Sequence, residues 1–341
     1  MSSEGNLIFT EFYEGQGLGN QLWVYAACRS IAELLSIPFA IKGIDRFKGS
    51  EFLDIKLSVG ISEDQADKLL MQATTNRSIR YFQEISYYDP ELEYFSSGYD
   101  SRVEKLSGVT KLDGLFQSEK YFFGDLEKLK QYFIVKPEFL SINSAASDVG
   151  VINLRGGEYK RHNSLILPES YWTKAIENLK SQADIKRFLV VTDDKAYAKA
   201  LFPKYEVLQG GIAECYATLY NAENLILSNS SFSYFPVKTG GNAKRVIAPQ
   251  HWARFGNPYK RWASVANCYE GWKWQDQHGV LKSYEQCLPE VNATEVLYES
   301  TYNVRTTQGM LLKKPLRSIV PQPIRNAAKK ILGILFPTRI G

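Results

Sequence analysis

The sequence predicts an α/β protein built as two halves, each a mostly parallel sheet flanked by helices. Three observations predict it. Short apolar strands alternate with amphipathic helices, a glycine-rich loop joins the first strand to the first helix, and the alternation restarts at Val149 after the small, polar stretch 143–148.

In order along the chain, Leu7 to Phe12 reads as a strand and Gln21 to Leu35 as a helix with an apolar stripe at Leu22, Tyr25, Ala26, Ile31, Leu34 and Leu35. Pro38 to Ile41 follows as a second strand. Residues 42–108 are the least legible part, aromatic-rich and polar, with a helical piece near Glu63 to Ala73. Lys111 to Phe116 is a strand leading into a helix over Ser118 to Tyr132, with Tyr121, Phe122, Leu126, Leu129 and Phe133 on its packed side. The second series has a strand at Val149 to Leu154 and a helix from Pro168 to Gln182, whose fixed φ suits a helix start. A fully apolar strand at Arg187 to Thr192, a helix at Cys215 to Asn221 and strands at Asn224 to Ser228 and Arg245 to Ala248 complete it. The expected division is a first α/β half at 1–145, a second at 146–290 and a basic extension at 291–341.

The 341 residues are 44% hydrophobic and 23% charged, a globular composition. Their 41 Lys and Arg against 37 Asp and Glu give +4, but eight basic residues and no acidic one lie from Ser300 onward, which leaves the body at −4. A negative body argues against nucleic acid as a partner. No run of about 18 apolar residues suggests a bilayer span, and the start has no secretory pattern, so a cytoplasmic location is expected. Cys28, Cys215, Cys268 and Cys287 are widely spaced and read as reduced, buried thiols; with three dispersed histidines, no metal cage is expected.

Four motifs carry chemistry. Gly15 to Gln21 (G-Q-G-L-G-N-Q) lies between strand and helix, where glycine lets backbone approach a phosphate and a helix start offers free amides. It is equally a tight turn, and Asn20 replaces the third glycine of a dinucleotide fingerprint. Arg155, at a strand end, can grip a pyrophosphate through two parallel hydrogen bonds, with Glu158 as acid, base or orienting partner; a plain loop ion pair is the alternative. Thr192-Asp193-Asp194 can accept from ribose or base, or cap the next helix. Asn229 to Ser233 (N-S-S-F-S) offers hydroxyls and amides to a phosphate, or is a capped helix start.

In this order the motifs resemble the α-1,2-fucosyltransferases of glycosyltransferase family 11. The family's G-G-L-G-N-Q is matched at 16–21 with Gln16 for a glycine. Its Q-S-E-K-Y-F stands intact at Gln117 to Phe122, its S-D-D is similar to Thr192-Asp193-Asp194, and its N-S-S-F-S-W-W to Asn229 to Phe235. Its H-x-R-R-G-D-Y becomes Asn153-Leu154-Arg155-Gly156-Gly157-Glu158-Tyr159, with the first Arg kept and the His, second Arg and Asp replaced. The resemblance covers roughly residues 5–252. It implies a GT-B fold, two Rossmann-like domains facing each other across a cleft, and an inverting transfer that needs no metal or cofactor. It implies a GDP-fucose donor, or a related nucleotide sugar given the altered loop, and an oligosaccharide or lipid-linked glycan acceptor in surface polysaccharide assembly. Arg155 and Glu158 are the expected catalytic groups, with Glu11 and Glu14 as other bases. The donor would be held by Gly17, Gly19, Asn20, Asn153, Arg155, Thr192, Asp193, Ser230, Ser231 and Phe232. A nicotinamide-dependent oxidoreductase and a non-catalytic glycan-binding homologue are the rival readings.

In the tail, Ile324, Ala327, Ala328, Ile331, Leu332, Leu335 and Phe336 fall on one helical face beside Arg325, Lys329 and Lys330. A helix on the protein's own body gives the same stripe. The acid-free sequence favours an anionic lipid surface, which implies peripheral contact through 323–336 at the inner face of the membrane.

Overall fold

The computed structural model describes residues 5–89, 94–140 and 147–301. Strands β1 (Leu7–Glu11), β2 (Phe39–Lys42), β3 (Leu53–Asp54), β4 (Ser58–Val59), β5 (Arg80–Gln83), β6 (Ser86–Asp89), β7 (Tyr94–Ser97), β8 (Val109–Asp113) and β9 (Ile134–Val135) belong to the first half. Its main sheet runs β4-β2-β1-β8-β5, parallel except at the β4 edge. Helix α1 (Leu18–Leu35) covers one face, over Ile8, Ile41, Phe82 and Leu112; α2 (Glu63–Thr75) covers part of the other, over Leu7, Phe9, Ala40 and Val109. A Ser62/Gln65 capping box fixes the start of α2.

Two elements differ from the sequence expectation. Helix α1 begins three residues early, at Leu18, and is buried on nearly all sides from Leu18 to Ala32, while Leu34 of the expected stripe is exposed. The reason is its position: it is clasped between the first sheet and the second half. The single helix expected over 118–132 is a 3-10 turn at Glu119–Phe122, broken by positive φ at Phe123 and Gly124, then a short α3 (Leu129–Tyr132). Tyr121, Phe122, Leu129 and Phe133 are buried, so the packed side matches the pattern while the backbone path differs.

After α4 (Pro137–Leu140) the second sheet uses β10 (Val149–Leu154), β11 (Arg187–Thr192), β12 (Glu206–Val207), β13 (Asn224–Leu227), β14 (Arg245–Pro249), β15 (Lys273–Gln275) and β16 (Leu281–Lys282), in the order β12-β11-β10-β13-β14-β15-β16. All pairs are parallel but the last. Helices α5 (Glu169–Gln182), α6 (Lys195–Leu201), α7 (Ile212–Asn221) and α8 (Tyr234–Gly240) make the crossovers. The expected two-sheet α/β layout is therefore present. α9 (Tyr284–Thr301) runs through the expected 290/291 boundary and is tied to the second half by Tyr298, whose hydroxyl donates to the Trp262 carbonyl at 3.0 Å. The amphipathic stretch 323–336 lies outside the described residues.

One apolar core joins the halves. Trp23 of α1 packs against Phe122 of the first half and against Tyr234, Phe235 and Tyr269 of the second, with ring centroids 4.2–5.9 Å apart. The same cluster continues to Val151, Leu225 and Trp274. All four cysteines are buried and free.

Candidate active site

Open α/β sheets bind ligands at strand C-terminal ends, where the strand order reverses. The first sheet reverses between β1 and β8, the second between β10 and β13. The segments after β1 and β13 touch: a Cβ on Gly19 would lie 2.6 Å from the Ser231–Phe232 backbone. The two reversal points therefore face each other.

Arg155 follows β10. Its guanidinium meets Asp193 Oδ2 at 2.7 Å and Glu158 Oε1 at 2.9 Å, and Asp193 Oδ1 accepts from the Gly156 amide at 2.9 Å. Asp193 thus orients Arg155 and is not a helix cap. Asp194 is the cap, accepting from the Tyr197 amide at 3.0 Å and pairing with Lys160, and these contacts hold its carboxyl below the usual range. Thr192 accepts from the Asp194 amide at 3.0 Å inside the same turn. The geometry explains why glycine replaces the second arginine of the family motif: a Cβ at Gly156 would meet Asp194 Cβ at 2.7 Å and the Tyr197 ring at 2.9 Å. Tyr159 bridges the loops after β10 and β13, donating to the Asn229 carbonyl at 3.2 Å.

Several expected donor ligands are placed otherwise. Asn153 is buried on the face of β10 that it shares with Val149 and Val151, its Oδ1 accepting from the Ser228 hydroxyl at 3.3 Å. Asn20 Oδ1 accepts from Gln117 Nε2 at 2.8 Å and from the Ser231 hydroxyl at 2.9 Å. Ser230 accepts from the Phe232 amide at 3.3 Å. Gly19, Asn20, Ser231 and Phe232 thus meet in a seam between the halves. Gly17, the α1 cap residue, is exposed, with open space where a Cβ would stand.

Of the carboxylates proposed as base, Glu158 is 69% exposed apart from its Arg155 contact. Glu11 is engaged on both oxygens, by Lys111 at 2.5 Å and Arg46 at 3.5 Å. Glu14 is exposed on the glycine loop and makes no hydrogen bond or ion pair among the described residues. Among those residues no cluster of His, Cys, Asp and Glu could hold a metal ion.

Sequence reasoning missed two groups. Glu119 of the Q-S-E-K-Y-F element accepts from the Tyr234 hydroxyl and from Lys238 Nζ, both at 2.8 Å, adding to the seam. Glu84 is buried; its Oε2 accepts from the Leu115 and Phe116 amides at 2.9 Å and its Oε1 from the Tyr121 hydroxyl at 2.8 Å. Burial pushes its carboxyl up to about 7 against those donors. Glu119 was visible as a motif letter, whereas nothing local marks Glu84 within the illegible 42–108.

No family model matches the chain. The chain is 26% identical over 247 residues to an alpha-1,2-colitosyltransferase of Escherichia coli, a match spanning 64% of this chain and 83% of that protein. In sequence the chain is thus similar to a glycosyltransferase. Loosely similar solved structures are the fucosyltransferase NodZ from Bradyrhizobium (13% identity, 68% of this chain and 92% of that one, TM-score 0.42) and POFUT1 in complex with GDP (12%, 72% and 98%, TM-score 0.40). In this protein Gly19 and the N-S-S-F-S segment sit in the seam, and Arg155, half-buried, stands with its two carboxylates at the second half's reversal point.

Proposed function

We propose that the protein transfers L-fucose from GDP-fucose to a hydroxyl of a saccharide acceptor, with inversion and without a metal, in the assembly of a surface polysaccharide. The observation that carries this reading is Arg155, fixed by Asp193 at the β10/β13 reversal point. As the bond from sugar to nucleoside diphosphate breaks, negative charge grows on the leaving phosphate, and a preset guanidinium stabilises that charge more than it stabilises the bound donor. Asp193 keeps the planar group aimed. Glu158 is exposed enough to exchange its Arg155 contact for a donor oxygen and to take the acceptor proton; Glu14, across on the glycine loop, is the other carboxylate available as base.

A second reading keeps the chemistry and changes the sugar. The relative is named for colitosyl transfer, and the loop that would touch the donor departs from the fucosyltransferase motif at Asn153, Gly156 and Glu158. Both readings meet one experiment. Thermal-shift titration with GDP, UDP, dTDP and NADH should show stabilisation by GDP alone, and NADH alone would overturn both. Transfer assays with nucleotide-linked fucose and colitose then separate the two sugars, and nucleotide binding with neither transfer nor donor hydrolysis would leave a binding module. Arg155→Ala should lower kcat/KM by about 100-fold or more with an unchanged circular-dichroism spectrum. Near-normal turnover in that variant removes Arg155 from the mechanism.

A further inference from the structure

After β10 the chain makes one 3-10 turn over Gly157–Arg161. With three residues per revolution, side chains three apart fall on one edge of such a turn, so it has three edges. Gly157 and Lys160 share the first: a Cβ on Gly157 would stand 2.3 Å from Asp193 Oδ2, and Lys160 pairs with Asp194, its Nζ 5.9 Å from the Tyr197 ring centroid. Tyr159 forms the second and is tied to the far side of β10, its hydroxyl donating to the Asn229 carbonyl at 3.2 Å. Two edges are thus anchored on the segments after β11 and β13. The third, carrying Glu158 and Arg161, is left facing the crevice outside the strand ends. Both of its side chains are exposed. Glu158 reaches back to Arg155 at 2.9 Å, whereas Arg161 makes no hydrogen bond, ion pair or ring contact among the described residues.

We propose that Arg161 is a second cation for the donor diphosphate, acting beside Arg155. The proposal rests on the glycosyl-transfer reading above. Three observations carry it. Arg155 stands against two carboxylates, Asp193 and Glu158, so that trio is net negative and repels a diphosphate unless another cation joins it. Lys160 is offset by Asp194, which leaves Arg161 as the unpaired cation of the turn. Position 156, where the family motif has its second arginine, has no room for a side chain, so a second guanidinium has to come from elsewhere in the loop. Finally, Arg161 lies on the same edge as Glu158, about 6 Å further along the turn axis, and Glu158 touches Arg155. A guanidinium there can offer two parallel hydrogen bonds to phosphate oxygens from the side opposite Asp193.

The test is calorimetric titration of the full-length protein, as wild type, Arg161→Ala and Arg161→Lys, with GDP, UDP, dTDP, inorganic pyrophosphate and guanosine. The expected result is that Arg161→Ala binds GDP and pyrophosphate about tenfold more weakly and guanosine as the wild type does. Arg161→Lys should fall between, because an ammonium keeps the charge and loses the paired hydrogen bonds. Equal GDP affinity in wild type and Arg161→Ala overturns the proposal and leaves the donor reading standing. So does an equal loss of guanosine binding, which would assign Arg161 to the base or to loop packing. A wild type that takes UDP or dTDP in place of GDP, with the same loss in Arg161→Ala, upholds the proposal and changes the donor. A wild type that binds none of the diphosphates overturns the donor reading, and this proposal with it.

Discussion

Arg155 is held by two carboxylates from different parts of the chain, and they have different work. Asp193 is fixed by the Gly156 amide, so it sets direction, whereas Glu158 is exposed and exchangeable. This separates the two carboxylates available as base. Glu158→Gln should lower kcat at least tenfold while leaving GDP affinity within about threefold, and Glu14→Gln should change kcat little. Single-turnover rates and GDP titrations check both, and a reversed pattern moves the base to the glycine loop. At Glu84 the prediction concerns pH. Its folded carboxyl titrates near 7 against a usual 4.5, so the folded state binds more protons in that window. Its stabilising effect is complete below pH 4.5 and is lost as pH rises through 7, on the order of 3 kcal/mol over the range. Glu84→Gln keeps an acceptor for the Leu115 and Phe116 amides and should flatten that part of the stability profile, as urea unfolding at pH 5 and pH 8 will show.

At the scale of elements, the motifs that carry the family resemblance make many of their contacts in the seam. Gly19 packs on the 231–232 peptide, and Asn20 receives Gln117 and Ser231. Gly19→Ala places a methyl 2.6 Å from backbone atoms that cannot swing aside, and should cost about 1–3 kcal/mol in chemical denaturation. Wild-type stability in this variant would mean the seam is loose in solution. The strands of the second sheet were legible because continuous apolar runs such as Phe188 to Val191 leave little ambiguity. Arg155 was legible because it stands at the end of such a strand. The all-round burial of α1 was not, since it depends on a second layer contributed by residues some two hundred positions away. Nor was the role of Asn20, whose partners are Gln117 and Ser231. Its letter suggested a ligand contact, and the fold uses it as a junction.

For the whole molecule, charge is the property that divides the chain. The body carries −4, so in the proposed reading its anionic donor would rely on the oriented Arg155, and the eight positive charges follow after Ser300. If the segment 323–336 supplies lipid contact, ending the chain after Gln322 should release the protein from liposomes rich in anionic lipid without altering GDP stabilisation. Unchanged co-sedimentation would place membrane attachment elsewhere or nowhere. The shared core has another consequence. With Trp23 wedged among rings of both halves, a rigid-body swing of one half would have to unstack that cluster. By contrast, the stretch from Glu158 to Ile166 is mostly exposed and meets the shared core through the partly buried Leu165. It is the natural graft point: a chimaera carrying another enzyme's segment there could acquire a new sugar preference while inheriting this framework intact.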